Sequence, residues 1–258
     1  MKILLAPLVA VAALAVTGAA QAAYPGTYGL QGGPPLGQIR VTNAGGDTEI
    51  TTPGQHVTIQ GSYGIPTFIT ANLPLGLFHD GSRFVLQSTG LPQKRTSFVV
   101  VRRSDLEVVQ TIELAGSYAF DALSPDGRML YLVEHRSSDL QHYIVRGYDL
   151  AASRLLPGRI ADKAQKSWVM QGWPASRVVA ANGRWVYTLY SNPGGFPFVH
   201  ALDTVKAVAH CVGFAWHGSQ DSLQSYRLAV RGGHLLIVGP GGGVYRSIDR
   251  TSWAVSLK

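Results

Sequence analysis

The residues best suited to chemistry lie in one polar run, Glu134-His135-Arg136-Ser137-Ser138-Asp139-Leu140-Gln141-His142. A glutamate beside two histidines offers a carboxylate and two imidazoles, a set that ligates metals or passes protons near neutral pH. The same run also reads as a solvated loop of ordinary ion pairs. Aromatic surface is offered by Trp168 and Trp173 in one connector and by Tyr190, which heads the segment Tyr190-Ser191-Asn192-Pro193-Gly194-Gly195-Phe196. Their rings can stack on sugars or peptides, or fill gaps between packed elements. Glu134, His135, His142, Trp173 and Tyr190 are therefore the candidate ligand-binding residues.

Established catalytic spacings are missing. The chain has no G-x-S-x-G, no H-E-x-x-H, no P-loop and no dinucleotide fingerprint. The run Gly239-Pro240-Gly241-Gly242-Gly243 completes none of these and reads as a tight loop between strands. Cys211 is the one cysteine, so no disulfide can form within the chain, and its neighbours Val208, Val212 and Phe214 suggest a buried thiol. His210 and His217 flank it at a spacing that matches no metal site. Asp121 stands among apolar residues, where it could face a central channel or serve as a hydrogen-bonded structural group. No catalytic residue, cofactor or metal is assigned.

The elements that must position these side chains follow a repeat. Four segments share one layout: an apolar strand, a turn centred on glycine, a second apolar strand, a loop, a third strand ending at aspartate, a turn and a fourth strand. The turn glycines are Gly81, Gly127, Gly183 and Gly232, spaced 46, 56 and 49 residues apart. Asp105, Asp149, Asp203 and Asp249 close the third strands at spacings of 44, 54 and 46. Asp-Gly and Asn-Gly supply the positive φ of a two-residue hairpin turn. A strand-end aspartate can accept from backbone amides two residues on. Four strands recurring every ~40–50 residues describe a propeller blade, which needs neighbours to bury its faces.

Ser124-Pro125-Asp126-Gly127-Arg128, followed by Leu130-Tyr131-Leu132, resembles the core of YVTN-type and WD-repeat-like β-propeller repeats of exported bacterial proteins. The likeness covers residues 72–258 and is weakest in the fourth unit, where arginine replaces the turn aspartate. It implies an all-β propeller of four clear four-stranded blades. Residues 38–60 are then expected to supply outer strands of a fifth blade or to close the ring. An open fragment of a larger propeller is the other possibility. The resemblance implies no single function, because such propellers include lactonases, dehydrogenases, scaffolds and binding proteins.

Residues 1–22 read as a signal peptide: Lys2, an apolar run from Ile3 to Val16, and a small-residue site at Ala20-Gln21-Ala22. Residues 23–37 form a Gly/Pro-rich arm, and 38–258 a single propeller domain. The formal charge of +7 falls to +6 without Lys2, and the basic residues are scattered. No basic stripe marks a nucleic-acid partner, and no membrane span is expected after cleavage. The sequence thus points to a secreted or periplasmic monomer that binds a protein or an envelope polymer through its loop face. A lactonase-like hydrolase is the alternative.

Overall fold

The computed structural model describes Tyr28–Leu30 and residues 34–90, 92–162 and 169–257. The expected signal peptide and Trp168 lie outside the described residues. In chain order, β1 (Tyr28–Leu30) is followed by β2 (Arg40–Ala44), β3 (Asp47–Thr52) and β4 (Gln55–Ile59). Next come β5 (Tyr63–Phe68), β6 (Leu73–Pro74), β7 (Arg83–Ser88), β8 (Arg95–Arg102) and β9 (Val108–Ala115). The second repeat unit holds β10 (Tyr118–Leu123), β11 (Met129–His135), β12 (His142–Asp149), β13 (Arg154–Leu155) and β14 (Met170–Gln171). The third has β15 (Trp173–Val179), β16 (Trp185–Ser191), β17 (Phe198–Asp203) and β18 (Val208–Gly213). The fourth has β19 (Arg227–Arg231), β20 (His234–Val238), β21 (Val244–Asp249) and β22 (Val255–Leu257).

Each repeat unit folds into its own antiparallel meander. The orders are β5-β7-β8-β9 (sheet 1), β10-β11-β12-β13 (sheet 2), β15-β16-β17-β18 (sheet 3) and β19-β20-β21-β22 (sheet 4). β1 from the Gly/Pro-rich arm pairs with β5, and β14 pairs with β12. β2, β3 and β4 make a separate three-stranded sheet. Residues 40–59 therefore stand as a sheet of their own and add no strand to the neighbouring meanders. After β5, Ile69–Ala71 turns as a 3-10 helix.

Apolar clusters stack these sheets in chain order. Ile39, Val41 and Ile50 of the N-terminal segment pack with Phe84, Leu86 and Val101 of sheet 1. Val85 and Phe98 meet Phe120, Leu130 and Leu132 of sheet 2. Tyr131, Val133 and Tyr143 face Val186, Tyr190 and Phe198 of sheet 3. Tyr187, Leu189 and Val199 then meet Leu228, Leu235 and Ile237 of sheet 4. Sheets 1, 2 and 3 are apolar on both faces because each is packed between two neighbours.

The turns close largely as their residues dictate. Gly81, Gly127, Gly183 and Gly232 all have positive φ, between 55° and 70°. Asp80, Asp126 and Asn182 accept from the amides of Ser82, Arg128 and Arg184. In sheets 1 to 3 the loop has four residues, closed by Phe78 N–H to Arg83 O, Ser124 N–H to Met129 O and Ala180 N–H to Trp185 O. Only Gly232-Gly233 joins a directly paired Arg231 and His234. The two-residue turn expected of Asp-Gly is thus corrected: the glycine follows a tight turn closed by Gly127 N–H to Ser124 O, and the aspartate caps it. Alanine at Gly127 would place Cβ 2.8 Å from the Phe78 ring, so this glycine also permits close packing of two sheets.

Among the described residues no helix is long and apolar enough to cross a membrane.

Candidate functional site

Antiparallel meanders put their connections alternately at two ends. The glycine turns define one end. The loops between second and third strands, with the connectors between sheets, define the other.

At the glycine-turn end, the segment 75–79 that leads into β7 and strands of sheets 2 and 3 surround a cavity of about 130 Å³. Its wall is mainly apolar, with Leu77, Phe120, Leu123 and Val179 among the lining residues. Asp121 and Arg177 also line it, with side chains only 4% and 3% exposed. A β-bulge explains how Asp121 arrives there. Phe120 and Ala122 pair with Leu132 and Tyr131, leaving Asp121 as the extra residue. Its carboxylate oxygen Oδ1 accepts from Arg177 at 2.9 Å, and its main-chain carbonyl accepts a second guanidinium N–H. Arg177 also donates to Thr188 Oγ1 at 3.0 Å.

Arg177 begins a polar row across sheet 3. Register pairs Arg177 with Thr188, Thr188 with His200 and His200 with Cys211. Cross-strand partners share a face, and this face packs on sheet 2 beside Tyr143 and Tyr190. His200 Nδ1 lies 3.5 Å from Cys211 Sγ, and Cys211 N–H donates to Asp162 at 2.9 Å. Burial lowers the His200 pKa to about 4 and pushes the Cys211 thiol up to about 12. The thiol of half-buried Cys211 stays protonated near neutral pH.

At the opposite end the loop 192–197 is braced from both sides. Asn192 N–H donates to Gln220 Oε1 at 2.8 Å, and Gln220 Nε2 donates to Gly195 O at 3.2 Å. Gln171 Nε2 donates to Asn192 Oδ1, and Asn192 Nδ2 donates to Phe196 O. Phe196 projects from this frame with 67% of its surface exposed. Trp216, Tyr226 and Tyr245 of the adjoining connector and strands form an edge-to-face group with centroids 4.9 to 5.6 Å apart.

The candidate residues of the polar run are distributed over this end. Glu134 is held between Arg136 and Arg146. His135 is 8% exposed, faces Leu140 O through Nδ1, and has its pKa lowered to about 4 by burial. His142 is exposed, with Nδ1 3.9 Å from Asp139. Tyr190 is 2% exposed, stacks on Phe198 at 5.2 Å and lies 5.6 Å from the Tyr143 ring. Trp173 is half-buried, and its carbonyl accepts from Ser191. His135 and Tyr143 are register partners, which brings His135 and Tyr190 to the same aromatic neighbour. Glu134 pairs with Ile144 and alternates to the other face of β11.

Asp121 lines this cavity, paired with Arg177. The available signal was a lone arginine in the apolar run Ala175-Ser176-Arg177-Val178-Val179. Phe196, Gln171 and Gln220 were also missed, because their roles depend on contacts between separate loops.

Successive four-stranded antiparallel meanders, stacked in chain order, are the layout of the β-propeller fold. No protein-family model and no curated protein matches the chain. Among solved structures, it resembles dihydro-heme d1 dehydrogenase NirN in complex with DHE, at 13% identity and a TM-score of 0.53 over 90% of this chain and 47% of that one. The β-propeller domain of Cps50 (Swd1) from Myceliophteria thermophila gives 10% identity and a TM-score of 0.49, covering 92% of this chain and 71% of that one. TolB from Acinetobacter baumannii gives 16% identity and a TM-score of 0.43, covering 82% and 48% respectively. The chain thus spans about half the length of NirN and of TolB. At these identities the likeness is one of fold.

Proposed function

We propose that this chain is an exported β-propeller that binds a protein or an envelope polymer on its loop face. In this reading residues 1–22 direct export to the periplasm or the exterior. Residues 38–258 act as one monomeric, YVTN-like domain, with the N-terminal sheet completing a fifth stack. Nucleic acid is not a partner, and no cofactor is required.

One observation carries the reading: an exposed phenylalanine sits at the tip of a loop fixed by four side-chain hydrogen bonds. Ordering a loop on binding costs affinity, so an aromatic anchor on a braced loop begins with that cost already met. Trp216 and Tyr245 extend an aromatic surface, and His142 and Trp173 are the notable candidates at its margin. A hydrolytic reading would need Glu134 and His135 to meet one substrate, yet they alternate on β11 and Glu134 is occupied by two arginines.

Phe196→Ser is expected to weaken partner capture by roughly 30-fold, the effect of losing a ~2 kcal/mol anchor. The unfolding midpoint should stay at the wild-type value, because the side chain is mostly exposed. Quantitative capture from envelope extracts, wild type against variant, reads this out. Equal capture by both proteins, or none by either, would remove the basis for the reading.

A further inference from the structure

The cavity at the glycine-turn end lies away from the loop face and plays no part in partner capture as proposed above. Its mouth is formed by turns of three sheets, with His79, Pro125 and Gly183 in mutual reach. Below the mouth the wall is apolar, and the floor is the Asp121–Arg177 pair. Arg177 spends its terminal donors on Asp121 and Thr188, while Nε is buried without a partner. Only Oδ1 of the Asp121 carboxylate is engaged among the described residues. The second oxygen therefore remains as an acceptor in a residue that lines the cavity.

The charges select among ligands. A cation drawn to Asp121 would meet the guanidinium beside it, and an anion drawn to Arg177 would meet the carboxylate. In an apolar enclosure neither repulsion is well screened. A neutral donor satisfies the open oxygen at no such cost, and an aliphatic body suits the wall. We propose that this cavity is a binding site for a small neutral molecule with a slender aliphatic body and a terminal hydroxyl or amide N–H.

The test uses four compounds that share a short aliphatic body: 1-butanol, butyramide, butylammonium and butyrate. Binding to the full chain is followed by ligand-observed NMR titration, in wild type and in Val179→Trp. Val179 sits on the cavity lining with 44% of its surface exposed, so a larger side chain can cover the mouth without entering the core. Saturable binding of the two neutral compounds is expected, at least fivefold tighter than of either ion, and weakened at least tenfold in Val179→Trp. Failure of both neutral compounds to saturate, equal binding of all four, or binding indifferent to Val179→Trp would overturn the site. Partner capture is unchanged in Val179→Trp, which separates failure here from failure of the loop-face reading.

Discussion

Replacing Arg177 with methionine is expected to lower the unfolding free energy by roughly 3–5 kcal/mol, the usual result of stranding one member of a buried ion pair. The size of the effect follows from what Asp121 loses. Its carboxylate is 4% exposed, and Arg177 is the donor to both its Oδ1 and its main-chain carbonyl. Methionine keeps most of the side-chain volume, so the loss reports electrostatics and hydrogen bonding more than a cavity. The double variant Arg177→Met/Asp121→Leu should recover most of the stability, because no uncompensated buried charge remains. Urea denaturation of the three proteins measures this. A loss below ~1 kcal/mol in the single variant would show that Asp121 is well solvated, contrary to its 4% exposure.

Acid should destabilise the fold well before its carboxylates titrate. His135 and His200 are buried neutral, each with its pKa lowered from 6.5 to about 4 by burial. A base with a depressed folded pKa is protonated first in the unfolded chain. Stability is therefore full above pH 6.5, falls as pH drops toward 4, and levels below that. Between pH 7 and 5 each histidine should remove about 2 kcal/mol, at 1.36 kcal/mol per pK unit. Lowered carboxylates such as Asp126 and Asp203 lose their contribution only at lower pH, so this window isolates the histidines. His200→Leu should halve the decline between pH 7 and 5, whatever its effect on absolute stability. An unchanged slope would mean that His200 is solvated in the native state.

Features set by neighbouring residues were legible in the sequence, and features set by register were not. The turn glycines, the capping aspartates and the strand after each turn follow from φ preference, short side-chain hydrogen bonds and apolar alternation within a few residues. Those marks sufficed to anticipate four antiparallel meanders and the glycine turn between the first two strands of each. The four-residue loops at Asp126-Gly127 were not foreseen, since the same dipeptide serves a two-residue hairpin and the closing bond to Met129 is set by the strands. Residues 38–60 are expected as outer strands of a fifth blade or as closure of the ring, and their pairing into a separate three-stranded sheet was not legible, because pairing partners are not written in alternation.

The candidate site divides along the same line. Asp121 was noticed because an acid in an apolar strand is conspicuous. Its partner is 56 residues away on another sheet, and the contact depends on a bulge that re-aims the side chain. The polar run at 134–142 attracted attention by composition, yet a strand's alternation separates Glu134 from His135. Phe196 gave no signal, because a phenylalanine between Gly195 and Pro197 is exposed or buried only according to how Gln171 and Gln220 fix the loop.

The most direct test of the loop-face reading is site-specific photocrosslinking in the intact cell envelope. A photoreactive residue at position 196 should yield one dominant adduct that is lost when unlabelled protein competes. The same residue at position 231, exposed in the turn at the opposite end, should not yield that adduct. No adduct from position 196, or the same adduct from both positions, would contradict the account.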